Sequence, residues 1–448
     1  MIISKTPLRM SFFGGGTDFA DYYKNSRYGY GTVISTALDM YVYIMVCKRF
    51  DDKIRVCYTV NEFVDSVDQI KHNIIREALK MLGIEKGIDI VYSADIPLSS
   101  AGIGLASSSA LAVGVLNALH AYKGEHVSPE VLAREACEIE IERLSNPIGV
   151  QDQYAVAYGG FRKYKFHRDG SVTNEMVVCR QDTLDQLKNN FMLYFTGLTR
   201  VSSNILAEQK AHIYDKEKVL DAMVEMVLSA EQALAEGDVA QIGKMLDDAW
   251  NLKKQMSSGI SNPLINEMYT KAKNAGAVGG KILGAGGGGF MLLFVPPQEQ
   301  ERVRSAMSEY KETQFGFETE GSRIIFTEKN LAMAVLLSVS DKLELGLLFL
   351  GSILSVVVQY AAVSVMYYQY GNRRYHGERW NFGYPSQGTA SRRRMAAVLC
   401  AILGISLIYI YDLVRNGSAL SDEILIETQI TAHRGSSLAA PANTLSAV

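Results

Sequence analysis

The sequence predicts an α+β protein of two lobes over residues 1–330, followed by a hydrophobic helical tail with two candidate transmembrane helices. Three observations carry this. Short β-patterned runs alternate with helical-period runs up to about residue 330. Three glycine-rich stretches, at 7–18, 102–110 and 281–290, are spread across that span in a way that fits one site where backbone approaches a charged ligand. Beyond Asn330 the composition turns abruptly apolar.

In chain order, the runs at 41–46 and 54–58 read as strands, 74–82 as a helix and 88–92 as a further strand. The second glycine stretch, GIGLASSSA at 102–110, leads into ALAVGVLNALHAY, where Leu111, Val115 and Leu119 share one helical face. A glycine loop opening onto a helix N-terminus offers unpaired N–H groups and a favourable dipole to an anion. Serine suits this place as a helix cap and as a ligand for phosphate or magnesium; without a ligand the same residues would be a serine-capped helix after a turn. Ser128-Pro129 starts another helix, expected to run to about Leu144 and to carry Glu138, Glu140 and Glu142. The turn GVQDQY at 149–154 then places Asp152. A helical carboxylate followed by one in a turn can divide metal binding from proton acceptance, although an acidic solvated face looks the same in sequence. The second lobe opens with a strand at 191–195. It continues with amphipathic helices at 216–236 and 238–256, whose Met223, Met226, Leu228 and Leu234 read as core.

Other phosphate signatures are excluded. No G-x-x-x-x-G-K-[ST] run occurs. Residues 284–289 match G-x-G-x-x-G, but an apolar strand-like run at 290–295 follows, whereas a dinucleotide fingerprint must open a helix. With 48% hydrophobic and 21% charged residues and a net charge of −3, the chain has the composition of a globular protein. No basic, aromatic-interleaved cluster points to nucleic acid in residues 1–329. The five cysteines form no C-x-x-C pair, which suits a reducing compartment. The first motif follows directly on Met1-Ile2-Ile3-Ser4-Lys5, so no signal peptide is expected.

The order P-x-R…G-x-x-T-D, a serine-ended glycine loop, G-x-x-D-Q and K-x-x-G-A-G-G-G-G resembles the GHMP small-molecule kinases. TPLRMSFFGGGTDFADYY, GVQDQYAVAYGGF, YFTGLTRVSSNILAEQ and KILGAGGGGFMLLF are similar to the D-glycero-D-manno-heptose 7-phosphate kinase branch. The resemblance covers roughly residues 1–329. It implies lobes at 1–170, with the ATP, magnesium and sugar sites, and at 171–330. It implies Asp152 as base or orienting carboxylate with Arg9 beside it. Asp18, Gly15, Gly16, Gly287 and Gly288 would meet the sugar, with Gly286 to Gly289 lining that side. Gly102, Gly104, Ala106, Ser107, Ser108 and Ser109 would hold ATP, and Ser108 and Glu140 would hold Mg2+. Arg200, in TGLTR, is expected to grip a 7-phosphate, because arginine can present two N–H groups to phosphate. Two departures stand out: Ala106 replaces a usual glycine, and 97–104 is slightly long.

The implied reaction is ATP-dependent phosphorylation of the anomeric hydroxyl of D-glycero-D-manno-heptose 7-phosphate, giving the 1,7-bisphosphate, in the cytoplasm. Fucose, galactose or another sugar is the alternative acceptor. A non-catalytic, membrane-attached sugar-phosphate-binding protein is the alternative from another class; the joint presence of Arg9, Asp18, Glu140 and Asp152 favours catalysis. Oligomeric state is open.

The tail, 331–430, carries apolar runs at 345–368 and 395–411, and membrane association is expected through 343–414. A buried helical hairpin is the competing reading. At 431–448, His433-Arg434-Gly435 and Pro441-Ala442-Asn443-Thr444 resemble the start of a glycerophosphodiester phosphodiesterase. Ala442 stands where that family has a metal-ligating glutamate, so His433 reads as a relic. The arginine-rich loop at 373–394 would be cytoplasmic by the positive-inside rule, which would strand an ATP-using lobe pair outside. The expectation is therefore a fragment joined to a kinase, with a membrane-tethered kinase as the alternative.

Overall fold

The computed structural model describes residues 1–96, 103–198 and 202–327. The chain divides into two units, Met1–Gly346 and Leu347–Val448. All described residues belong to the first. Both apolar runs of the tail, the phosphodiesterase-like segment, Gly102 and Arg200 lie outside the described residues. Among the described residues no helix is long and apolar enough to cross a membrane.

Thirteen strands are described: β1 (Ile2–Phe13), β2 (Tyr30–Lys48), β3 (Ile54–Cys57), β4 (Asn61–Val64), β5 (Ile88–Ala94), β6 (Phe161–His167), β7 (Val172–Met176), β8 (Phe191–Phe195), β9 (Gly279–Ile282), β10 (Phe290–Phe294), β11 (Lys311–Glu312), β12 (Phe317–Glu318) and β13 (Arg323–Thr327). The first sheet runs β13-β1-β2-β5-β3-β4, with β6 and β12 also on β2 and β7 beyond β6. The second runs β11-β8-β10-β9.

β2 organises the first lobe. Its first half pairs with β6, from Tyr30↔His167 to Thr36↔Phe161, and its second half with β5, from Val42↔Ala94 to Lys48↔Ile88. Only the second half alternates between buried and half-buried residues. That is why sequence periodicity found 41–46 and missed the rest: a stretch buried on both faces has no period-2 signature. The Ser107–Lys123 helix packs on β1 and β2 and is buried along most of its length. Gly114 permits this approach; a Cβ there would come 2.9 Å from Thr6 Oγ1.

Two helices, Glu217–Glu236 and Val239–Lys253, form the expected amphipathic pair of the second lobe. Gly237, in the left-handed region, ends the first, and the Asp238 side chain caps the second by accepting from the Gln241 N–H. Met223 and Leu234 are core as expected, whereas Leu228 is exposed.

Three local readings change. Strands β7, β12 and β13, grouped with the second lobe by position, pair with β6, β2 and β1 of the first sheet. Phe317 stacks on Phe161 and meets the edge of Phe12, which anchors this return. The helix begun by Ser128 is α-helical only over Pro129–Cys137 and becomes a π-helix over Glu138–Arg143. Finally, Asp152 sits in the first turn of a helix, Gln151–Tyr158, rather than in a turn.

Candidate active site

A cavity of about 260 Å³ is lined by Arg9, Gly15, Gly16, Asp18, Gly104, Ala106, Ser107, Ser108, Ser109, Glu140 and Asp152, among others. Four separated sequence motifs therefore converge on one space. Two backbone contacts bring them together. A Cβ on Gly104 would lie 2.4 Å from Leu283 O, and one on Gly284 would lie 2.4 Å from Gly104 Cα. Both glycines have positive φ, so the second and third glycine stretches touch main chain to main chain.

Arg9 is buried on β1 and uses its whole guanidinium. Nε and Nη2 grip the two carboxylate oxygens of Asp152 at 2.8 and 2.6 Å, and Nη1 donates to Gly104 O at 2.7 Å. The backbone N–H of Arg9 also donates to Leu105 O at 3.1 Å. Arg9 thus ties the Asp152 carboxylate to the glycine loop in a fixed, bidentate geometry. The Asp152 side chain keeps 26% of its surface exposed, so part of the carboxylate remains reachable from the cavity.

Asp18 is buried and held by main chain. Its Oδ1 accepts from the Gly16 N–H at 2.9 Å and Oδ2 from the Gln151 N–H at 3.3 Å. Burial pushes the Asp18 carboxyl up from its ordinary range, and the Asp152 charge adds to this. Gly149 makes room for it: a Cβ there would fall 2.0 Å from Asp18 Oδ2.

The helix that follows the glycine loop starts without a side-chain cap. Ala106 is the capping residue, in the left-handed region at φ 64°, and Ser107 to Ser109 form the first turn. The expectation that serine caps this helix is corrected. The serine hydroxyls are released for other partners, and Ser108 donates to Glu140. Glu140, buried by the π-helical segment, also accepts from Gln153 Nε2 at 2.7 Å. Burial pushes the Glu140 carboxyl up, while bonds from Ser108, Ser109 and Gln153 oppose the shift. Among the described residues no cluster of three or more His, Cys, Asp or Glu forms a metal cage. Ser108 and Glu140 instead make a sparse, hard-oxygen set. It fits magnesium, which takes one or two protein oxygens and fills its octahedron with phosphate and water. Gln153 Oε1 is a buried acceptor with no partner among the described residues, on the same side chain whose Nε2 donates to Glu140.

Gly287 and Gly288 are not among the residues lining this cavity. The Gly287 N–H donates to Ile260 O at 2.7 Å, and a Cβ on Gly288 would meet Leu198 O at 2.7 Å. Gly284 and Ala285 line the space in their place.

Sequence reasoning missed two lining residues, Lys253 and Lys281, only 8% and 4% exposed. Lys253 Nζ donates to Gly284 O and, at 3.4 Å, to Ile282 O; Lys281 Nζ donates to Phe12 O at 2.8 Å. Burial, with the Arg9 charge, pulls the Lys253 ammonium down to about 8. Burial, Lys253 and Arg9 hold Lys281 well below the usual lysine range. For Lys281 the clue was its place at the head of the K-x-x-G-A-G-G-G-G motif, to which no role was given; Lys253, on an amphipathic helix, offered none.

The family profile described as "GHMP kinases N terminal domain" matches residues 70–160, and "GHMP kinases C terminal" matches residues 230–313. The chain is similar to the D-glycero-alpha-D-manno-heptose 7-phosphate kinase of Campylobacter jejuni, at 31% identity over 68% of this chain and 93% of the relative. It is also similar to the galactokinase of Pyrococcus furiosus, at 26% identity over 68% of this chain and 92% of the relative. A solved structure, a D-glycero-D-manno-heptose 1-phosphate kinase from Bacteroides thetaiotaomicron, shares the fold. Its TM-score is 0.61 at 24% identity, covering 73% of this chain and 99% of that one. The two profile matches and the 31% identical relative together show that the chain belongs to the GHMP kinases, a family of phosphotransferases.

Proposed function

We propose that this protein is an ATP-dependent sugar kinase whose acceptor is the anomeric hydroxyl of D-glycero-D-manno-heptose 7-phosphate, giving the 1,7-bisphosphate. The observation that carries the transfer chemistry is the bidentate Arg9–Asp152 pair opening onto the same cavity as the first turn of the Ser107–Lys123 helix. The choice of heptose is supported by the 31% identical relative.

Phosphoryl transfer needs positioning and neutralisation of charge more than covalent help. The N–H groups at the start of the Ser107–Lys123 helix bind the nucleotide phosphates. Magnesium, held by Ser108 and Glu140, would neutralise phosphate charge. Asp18 accepts from sugar hydroxyls. Asp152 orients the attacking hydroxyl and receives its proton late. Because Arg9 grips both of its oxygens, the carboxylate is held in one orientation, which suits a loose transition state that depends on positioning. The 26% identical galactokinase relative supports an unphosphorylated hexose as the second acceptor class. A panel of heptose 7-phosphate, heptose, fucose and galactose, with product phosphate position read by 31P NMR, tests the reading. Turnover of a hexose in preference to the heptose phosphate overturns the acceptor, and turnover of none overturns the kinase.

A further inference from the structure

We propose that Lys253 and Lys281 together form a phosphate-binding subsite in the Arg9–Asp152 cavity. Both side chains come from the second lobe, at the end of the Val239–Lys253 helix and on β9. Both reach the cavity wall. Each is almost wholly buried, yet among the described residues neither has a carboxylate within ion-pair distance; their only partners are the main-chain oxygens of Gly284, Ile282 and Phe12. The nearby carboxylates are already engaged, Asp152 by Arg9 and Asp18 by two main-chain N–H groups. Carbonyl bonds offset only part of the cost of burying an ammonium ion, so charge on these two amines is costly, whereas that of Arg9 is balanced by Asp152. An anion in the cavity repays that cost. Phosphate fits best, since its several oxygens can accept from separate point-charge donors at once. Its charge would also draw up both lysines, which burial and mutual repulsion hold low.

The phosphate has two sources: the one the acceptor sugar already carries, or the terminal phosphate of the nucleotide. Only this identity rests on the sugar-kinase reading. Lys253→Met and Lys281→Met keep length and remove charge. In the full chain, inorganic phosphate binding measured by calorimetry is expected to weaken about tenfold or more in each, the worth of one charge-assisted bond. In the unaltered protein at pH 9, phosphate binding is expected to take up protons, read as a heat that scales with buffer ionisation enthalpy; this arm needs no variant to fold. Unchanged phosphate affinity in both variants, or binding without proton uptake, overturns the subsite. Kinetics then assign the source. A KM rise for the phosphorylated sugar alone places the acceptor's phosphate there, and a KM rise for ATP with every acceptor places the nucleotide's. If no sugar is turned over but phosphate binding behaves as expected, the subsite stands and the sugar-kinase reading falls.

Discussion

Replacing Lys253 with methionine should change how stability responds to pH, and the size follows from the structure. An unperturbed lysine titrates near 10.5; in the fold Lys253 titrates at about 8, through burial first and then the Arg9 charge, partly opposed by Asp152 and Asp18. Lys281 is the other cation facing it. The sign is that of a depressed base. Below pH 8 the ammonium is charged in both states and the folded protein bears the full cost. Between pH 8 and 10.5 the unfolded chain binds more protons than the folded one, so stability rises with pH. At about 1.36 kcal/mol per pH unit, the full cost is about 3 kcal/mol, and about 2.5 kcal/mol of it disappears between pH 7 and pH 10. Urea unfolding of wild type and Lys253→Met at pH 7, 8, 9 and 10 removes from the comparison every titration that Lys253 does not influence; Lys281, which Lys253 also holds low, is the coupled group. Loss of the amine leaves Gly284 O and Ile282 O without this donor. That cost, about 1–3 kcal/mol per carbonyl left unsatisfied, is independent of pH and leaves the slope untouched. The stability difference between variant and wild type should therefore move by about 2.5 kcal/mol in favour of wild type on going from pH 7 to 10. Parallel pH profiles would refute the claim that Lys253 carries a buried, costly charge.

Asp152→Asn keeps shape and removes the carboxylate charge. It is expected to lower kcat by about 10²–10⁴ with nucleotide binding retained, as read by steady-state kinetics and a fluorescent-nucleotide titration. Near-normal turnover would sink its role. Gly149→Ala places a Cβ 2.0 Å from Asp18 Oδ2 and 3.0 Å from Asp18 C. Overpacking of this kind costs about 1–3 kcal/mol, and the displaced Asp18 should raise KM for the acceptor more than for ATP; equal KM values would show that Asp18 does not meet the sugar. Ala106→Gly relieves a left-handed alanine. It should raise stability by about 0.5–1 kcal/mol and leave ATP affinity equal or better, whereas Ser108→Ala should raise the magnesium requirement. No change in either nucleotide or magnesium dependence would make this loop structural only.

How much the sequence disclosed depended on the range of the contact that fixes each feature. Periodicity located the helices at Glu217–Glu236 and Val239–Lys253, because each buries one stripe against its own lobe. At Ala106 the one sign in the sequence was the resemblance, which puts glycine there, and the left-handed backbone found at that alanine accounts for that preference by local sterics. β6 and β7 were not readable. Phe161–His167 interleaves Arg162, Lys163, Lys165 and His167 with its apolar residues, and it becomes a strand by pairing with the unpatterned half of β2. The π-helical turn at Glu138–Arg143 was equally hidden. Its cause is tertiary, since burying Glu140 requires Ser108 and Gln153, contributed by two other helices, to meet it.

Lys253 and Lys281 show the same limit at the site itself. Lysine on an amphipathic helix or beside a glycine pair is by default a solvated residue. What makes these two different is the contact between lobes: Gly284 lies against Gly104, and Lys281 reaches across to Phe12 of β1. That closure turns two surface-type side chains into the floor of a cavity whose other wall is the Arg9–Asp152 pair. The glycines that first marked the chain therefore act in two ways. At Gly104 they allow a ligand-facing loop, and at Gly284 they let one lobe's main chain approach the other closely enough to bury charge. An alanine at Gly284 would set a Cβ 2.4 Å from Gly104 Cα. It would force the two stretches apart, returning Lys253 to solvent and loosening the loop that Arg9 holds. Stability and catalysis meet at that contact, because the separation that would relieve the buried lysines would also undo the geometry that fixes Asp152.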